Sequence, residues 1–560
     1  AANRLLVLKQ RRFGSIDRES NYLVENVSSA EGTVELLEDS PELRAEIDSK
    51  THRSTRYAVV VLRDEDKAEA RRAFSTPLLF SVQEAKGLEY EHVILFRMVG
   101  AASREFRECT EGVTPQDLES ELVYARARDK ADKSLDAYKF YVNALYVAMT
   151  RAVETLMIIE EDVDHPLWDL LAIHRMSQRV ELAQDESSRE EWQREARRLE
   201  LQGKAEQAEQ IRREILEAGP VPWPVIDAAA YPEIRARALG PGPQDKPAQQ
   251  LLFEYALTYD VPTLLPELEA ARFRHARNPD SGRAYIEDTH YADYRTKRPQ
   301  QLPNLIRKHG IDFRNPLNET PLMVAARIGR ADLTRELLAQ GADPDLMDNA
   351  GRTPLRVAFA AWLHGQGGKR TAFEEVFQCL ATTPIKVKVG ARMSKLDPSS
   401  MEWFLLNLCL VSYHRMIPPA LKLRLMPTLK ATILARTVGA FPERVLSGRR
   451  KQRAYVSAVL SKNEIHGTNP YNRRLFCRVA HGHYVLNPAL EVESKGTWVA
   501  IGDLMGLPLL FDSLPPGQSV YMREWLEHTR DTLARRFGGT EGERGQLAPP
   551  PADPGPRVPA

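Results

Sequence analysis

Phe80-Ser-Val-Gln-Glu-Ala-Lys-Gly-Leu-Glu-Tyr-Glu-His-Val-Ile-Leu95 sets the reading of the first third of the chain. An apolar edge, Pro77-Leu-Leu-Phe80, runs into a polar turn holding Lys86 and Gly87. The chain then resumes as an apolar run, His92-Val-Ile-Leu-Phe96. Strand, polar turn with glycine, strand is how an α/β domain sets polar groups at one edge of its sheet. Further on, Ala144-Leu-Tyr-Val-Ala-Met-Thr-Arg-Ala152 reads as a helix ending in Thr-Arg, followed by a strand at Leu156-Met-Ile-Ile159. Upstream, Tyr57-Ala-Val-Val-Val-Leu62 is a continuous apolar, β-branched run suited to a central parallel strand. Asp64 to Phe74 reads as a charged helix, Gln116 to Met149 as mainly helical, and Arg4-Leu-Leu-Val-Leu8 as a strand. Residues 1–162 are therefore expected to form an α/β domain with a parallel sheet.

The totals constrain the rest. A chain of 560 residues, 43% hydrophobic and 28% charged, has the composition of a globular protein of two to four domains. Its 77 basic and 77 acidic residues balance, so net charge carries no argument for a nucleic-acid partner. Cys109, Cys379, Cys409 and Cys477 have no paired spacing, which points to a reducing, cytoplasmic setting without a structural zinc or disulfide framework. The longest apolar run, Trp403 to Val411, contains Asn407 and is too short to span a bilayer, so no membrane partner is expected. The chain starts with alanine inside an apolar run, and we expect a longer natural chain upstream.

Two stretches carry a resemblance. Ser81-x-Gln83-x-x-Lys86-Gly87-Leu88-Glu89 is similar to T-x-H-x-x-K-G-L-E, and Tyr146 through Ala152 matches Y-V-A-x-T-R-A without a departure. In this order and spacing they resemble motifs V and VI of UvrD/PcrA/Rep-type superfamily 1 DNA helicases. The resemblance implies the second RecA-like domain, covering residues 55–160 well and 1–55 weakly. It implies that Arg151 reaches the γ-phosphate of ATP, with Thr150 and Glu89 beside the nucleotide. It places Ser81, Gln83, Lys86 and Gly87 at a single-stranded DNA groove, and Gln83 replaces the usual histidine. A planar guanidinium can bind phosphate oxygens bidentately and stabilise spreading charge. An arginine after a helix is also an ordinary surface or salt-bridged residue. No G-x-x-x-x-G-K-[ST] occurs in the sequence. The main ligands for ATP with Mg2+ are thus expected on a first RecA-like domain outside this chain, and the chain alone should not hydrolyse ATP.

A second pattern lies downstream. Thr320-Pro-Leu-Met-Val-Ala-Ala326 recurs as Thr353-Pro-Leu-Arg-Val-Ala-Phe359, with Leu337-Leu-Ala-Gln-Gly-Ala-Asp-Pro344 between them. Threonine caps a helix, proline takes its first position, and glycine takes the left-handed exit. This is the ankyrin pattern; two repeats are expected within 309–385, with a third before or after them and neighbouring helices as caps. Together the two resemblances are similar to the layout of tetratricopeptide-and-ankyrin-repeat helicase-like proteins.

The remaining regions are read by composition. Residues 163–240 should be helical; Glu190 to Glu217 forms a hairpin broken at Gln202-Gly203-Lys204, either tetratricopeptide-like or a charged coiled-coil arm. Gly240 to Pro247 is a linker, 248–308 is helical, and 538–560 should be disordered. Residues 386–537 should form an α+β region with a winged helix near 450–490. Between Ala440 and Ala480 nine basic residues face two acids, and Arg473 and Arg474 would stand in a recognition helix on DNA. A basic solvated face or a protein-docking surface fits the same residues. The sequence thus supports two functions: part of an ATP-dependent UvrD-like helicase, or a catalytically inactive helicase-like scaffold binding protein through ankyrin repeats.

Overall fold

The computed structural model describes residues 1–13, 32–119, 136–175, 182–365, 370–422, 428–494 and 496–512, with positions 520, 523, 524 and 527. The expected disordered tail at 538–560 lies outside the described residues. The chain divides into two compact units, Ala1–Glu217 and Ala218–Ala560.

The first unit is built on a parallel sheet of β1 (Thr33–Glu38), β2 (Tyr57–Val61), β3 (Leu79–Ser81), β4 (Tyr90–Phe96) and β5 (Ala152–Glu160). Their order is β1-β5-β4-β2-β3, and every pairing is parallel. Every residue of β2 is buried, as a strand covered on both faces requires. One face packs Val59, Ile94, Phe96 and Met157 beneath α2 (Pro41–Thr51) and α3 (Lys67–Ala73). The other packs Leu95, Leu156 and Ile158 with the remaining helices. These are α4 (Val82–Ala85), α5 (Ser103–Thr110), α6 (Asp136–Met149), α7 (Pro166–Leu171), α8 (Arg189–Leu201) and α9 (Ala205–Gln210), with α1 (Ala2–Phe13) at the front.

Arg4–Leu8 is part of helix α1, not a strand. Leu5, Leu6, Val7 and Leu8 are all buried, and a short continuous apolar run does not by itself separate a buried strand from a buried helix. The hairpin of α8 and α9 does break at Gly203, whose φ is 77°. However, Trp192, Leu199, Ala208 and Ile211 join the core of the sheet, so the hairpin belongs to the α/β unit instead of opening a separate helical region at 163. Residues 115–119 form a 3-10 turn ahead of α6.

The second unit opens with α10 (Tyr231–Leu239), α11 (Lys246–Thr258), α12 (Leu264–Ala270), α13 (Pro279–Ile286), α14 (Ala292–Arg295) and α15 (Leu302–His309). Two helix pairs follow: α16 (Pro321–Arg327) with α17 (Ala331–Ala339), and α18 (Pro354–Leu363) with α19 (Arg370–Leu380). Their backbone chemistry repeats. Thr320 Oγ1 accepts the N–H of Met323, and Thr353 Oγ1 accepts that of Arg356. In the preceding turns, Asn315 Oδ1 accepts the N–H groups of Leu317 and Glu319, as Asp348 Oδ1 accepts those of Ala350 and Arg352. Gly310 and Gly341 leave their helices at φ 85° and 94°, where a Cβ would be strained.

The C-terminal part contains β6 (Ile385–Val389), β7 (Arg392–Leu396), α20 (Met401–Lys422), β8 (Leu429–Lys430), α21 (Ala431–Ala440), α22 (Gly448–Lys451) and α23 (Arg453–Lys462). It closes with β9 (Phe476–Ala480), β10 (His483–Leu486), β11 (Leu490–Ser494), β12 (Thr497–Ala500), α24 (Ile501–Leu504) and α25 (Leu507–Asp512). The sheets run β8-β10-β9 and β12-β11-β6-β7. The expected hairpin with a turn at His481-Gly482 is present. The expected recognition helix at Asn469–Arg474 is not: this segment is irregular loop. Asparagine side chains satisfy its backbone instead. Asn463 Oδ1 accepts the N–H of Arg473, Asn472 Oδ1 that of Arg474, and Asn487 Nδ2 donates to the Arg474 carbonyl. Such local bonding competes with helical pairing. Among the described residues no helix is long and apolar enough to cross a membrane.

Candidate functional site

The N-terminal edges of β4 and β5 are adjacent, so the turn before each strand meets the other. Gly87 turns the chain at φ 87°, which frees Lys86, Gly87 and Glu89 to solvent while Leu88 is buried. Across from them α6 ends in Thr150-Arg151. Arg151 Nη1 donates to the Leu88 carbonyl at 2.8 Å, Nε to the Val147 carbonyl at 3.0 Å, and Nη2 to Thr150 Oγ1 at 3.2 Å. Thr150 Oγ1 donates in turn toward the carbonyls of Tyr146 and Val147, both at 3.0 Å. The Tyr90 N–H closes the loop on the Arg151 carbonyl at 3.0 Å. A cation over the last carbonyls of a helix is favoured by the helix dipole. Arg151 therefore staples α6 to the Lys86–Glu89 turn, and among the described residues no carboxylate pairs with it. Two of its five N–H groups are not used in these bonds.

Ser81 is buried, and its hydroxyl is engaged as the cap of α4: it accepts the Glu84 N–H at 3.4 Å while Glu84 Oε2 accepts the Ser81 N–H at 3.0 Å. Glu84 is held by Lys67 at 2.9 Å. Gln83 stands exposed on α4. Ser81, Gln83, Lys86, Gly87, Glu89, Thr150 and Arg151 thus share the first unit. Arg473 and Arg474 belong to the second, in the loop before β9. Burial lowers the Arg474 pKa from its ordinary value, and the nearby Arg392 lowers it further. Tyr471 beside them is 75% exposed.

Reading along the chain missed Arg198. From α8 its Nη1 donates to the Glu89 carbonyl at 3.2 Å. The guanidinium lies over the Tyr90 ring, 4.7 Å from its centroid, and bonds both oxygens of Glu195 at 2.8 Å. The Tyr90 hydroxyl donates to Glu195 at 2.8 Å, and burial holds that phenol well above its ordinary pKa. Arg198 and Glu89 are 109 residues apart in sequence, and a helix so rich in charge reads as a solvated arm.

In the second unit the repeat turns are covered by the chain itself. Trp223 Nε1 donates to the Arg314 carbonyl at 2.9 Å, Tyr259 Oη to the Leu317 carbonyl at 2.6 Å, and Asn349 Nδ2 to the Ile226 carbonyl at 2.6 Å. All residues of α16 are buried. The second helix keeps an open side, with Asp332, Arg335 and Glu336 exposed on α17.

Residues 290–366 match the family model for ankyrin repeats, in three copies. The chain therefore contains ankyrin repeats, and their first copy begins earlier than the 309 expected from the Thr-Pro pattern. Similar stretches occur in the Neurogenic locus Notch protein of Drosophila melanogaster and in neurogenic locus notch homolog protein 4 of Homo sapiens. Each is 56% identical over 43 residues, 8% of this chain and 2% of the relative. Neurogenic locus notch homolog protein 1 of Danio rerio is 43% identical over 60 residues, 10% of this chain and 2% of that protein. This chain thus covers only about 2% of the length of these curated relatives. No solved structure matches the chain.

Proposed function

We propose that this protein is an interaction scaffold that recruits a protein partner through the open side of its ankyrin stack. The observation that carries this reading is the three-copy ankyrin match over 290–366, with the same capping and turn bonds in successive repeats. Repeat stacks present extended surfaces to partners. Because Trp223, Tyr259 and Asn349 close the turns, the surface left is the second-helix side. The test uses the full chain as bait, with cross-linking mass spectrometry to locate the partner. Reversing Asp332, Arg335 and Glu336 together should cut capture at least about tenfold while circular dichroism stays unchanged. Undiminished capture, or cross-links that avoid 290–366, would refute the reading.

A second reading is favoured by the meeting of the Lys86–Glu89 turn with Thr150-Arg151. In it, the first unit is a UvrD-like, RecA-like lobe in which Arg151, Thr150 and Glu89 face ATP with Mg2+. Gln83, Lys86 and Gly87, with Ser81 holding the turn, then line a single-stranded DNA path on the first unit, and Arg473 and Arg474 of the second unit would contact DNA on their own. The sequence holds no phosphate loop, so the nucleotide lacks a complete site within this chain. Support would come from Mg2+-dependent binding of a fluorescent ATP analogue that Arg151→Ala weakens at least tenfold; binding indifferent to that change would sink this reading.

A further inference from the structure

Beside that edge, three residues that neither reading uses converge. Glu91 and His92 of β4 and Glu154 of β5 each offer one ligand atom, and these atoms lie within 4.8 Å of one another. Consecutive residues on a strand ordinarily point to opposite faces. Here the pairing slips: Tyr90 faces Ala152 and His92 faces Thr155, so Glu91 alone stands opposite Val153 and Glu154. The extra residue is on β5, and a bulge re-aims the side chains of its own strand, here placing Glu154 within reach of Glu91 and His92. The His92 ring lies over Tyr57, with centroids 4.3 Å apart and planes inclined at 31°.

The charges around the point leave room for a cation. Arg56 Nε is 3.9 Å from Glu91, but it donates to Asp185 Oδ2 at 3.0 Å, and Nη2 pairs with the same carboxylate. Glu154 is exposed and forms no ion pair among the described residues. With Arg56 held by Asp185, the two carboxylates and the imidazole are left facing one another. We propose that Glu91, His92 and Glu154 form a Zn2+ site, independent of any nucleotide. One imidazole and two carboxylates suit zinc, whereas magnesium and calcium prefer all-oxygen shells. Bonds of about 2.1 Å would set the ligand atoms roughly 3.4 Å apart, so the side chains close inward on binding. The fourth position is left to water or an incoming ligand.

Isothermal titration of the full chain with Zn2+ alone tests this, and Co2+ absorption reports the ligand type. The expected result is one site whose cobalt spectrum lacks a thiolate charge-transfer band. Glu154→Gln, at an exposed position, and His92→Gln should each weaken it at least tenfold, and Cys379→Ser should leave it unchanged. Absence of saturable binding overturns the proposal. So does a site that survives Glu154→Gln unchanged, or one that Cys379→Ser removes.

Discussion

Glu160, the last residue of β5, is 1% exposed and accepts the N–H of Val99 at 2.6 Å and of Gly100 at 2.9 Å. Burial raises its pKa to about 7, although both hydrogen bonds pull it down. A carboxyl whose pKa is raised by folding binds more protons in the native state than in the unfolded one. Its contribution is therefore complete below the ordinary glutamate range and is lost as pH rises toward about 7. The upper limit is roughly 3 kcal/mol, from 1.36 kcal/mol per pKa unit. Hydrogen exchange of the β4 and β5 amides, corrected for intrinsic rates, should show opening free energy falling between pH 5 and 8. Glu160→Gln should flatten that slope; an identical slope in the variant would show that other groups set it. At this scale the sequence is least informative. Glu160 reads as the polar end of a strand, and its partners, like Glu89 for Arg198, come from distant stretches of the chain.

At the scale of elements, legibility followed the range of the bonds. The strands β2, β4 and β5 were readable because strands buried on both faces need continuous apolar runs. The helices α16 and α18 were readable because Thr320 and Thr353 cap them with bonds to residues only three positions away. The loop at 469–474 was not, because its backbone is satisfied by Asn463 and Asn487, ten and thirteen residues off. Helix α1 was hidden by four apolar residues in succession. The caps should behave as local terms: Thr353→Ala should lower stability by about 0.5–2 kcal/mol in urea unfolding. Gly351→Ala should cost more than the cap. Its φ is 65°, and an added methyl would overlap the Leu504 carbonyl, so both strain and a lost contact with α24 enter. Equal costs for the two variants would mean that α24 yields to the methyl group.

At the scale of the molecule, the second unit shares one core from Ile226 to Phe511. The stretches 248–308, 309–385 and 386–537 were expected as separate regions; their described residues up to Phe511 share that core. A stack of about three repeats buries too little alone, and the helices on either side supply the missing cover. That core encloses charge. Glu319 is fully buried, accepts the Tyr291 hydroxyl at 2.6 Å and pairs with Arg327, whose Nε lies at 2.9 Å. Burial alone would raise the Glu319 pKa; Arg327 and Tyr291 hold it below its ordinary value. Tyr291 precedes α14 and Arg327 ends α16, so the trio ties the helical region to the repeats. Removing one partner of a buried pair strands the other, at about 3–5 kcal/mol, whereas replacing both with apolar groups is often neutral. Arg327→Met should therefore destabilise the second unit by that amount. Adding Glu319→Leu should recover most of it, the Tyr291 hydroxyl being the one group left without its acceptor. If the double variant is no more stable than the single one, the pair is not what the core depends on, and the join between helices and repeats rests on Tyr259 and Trp223 instead.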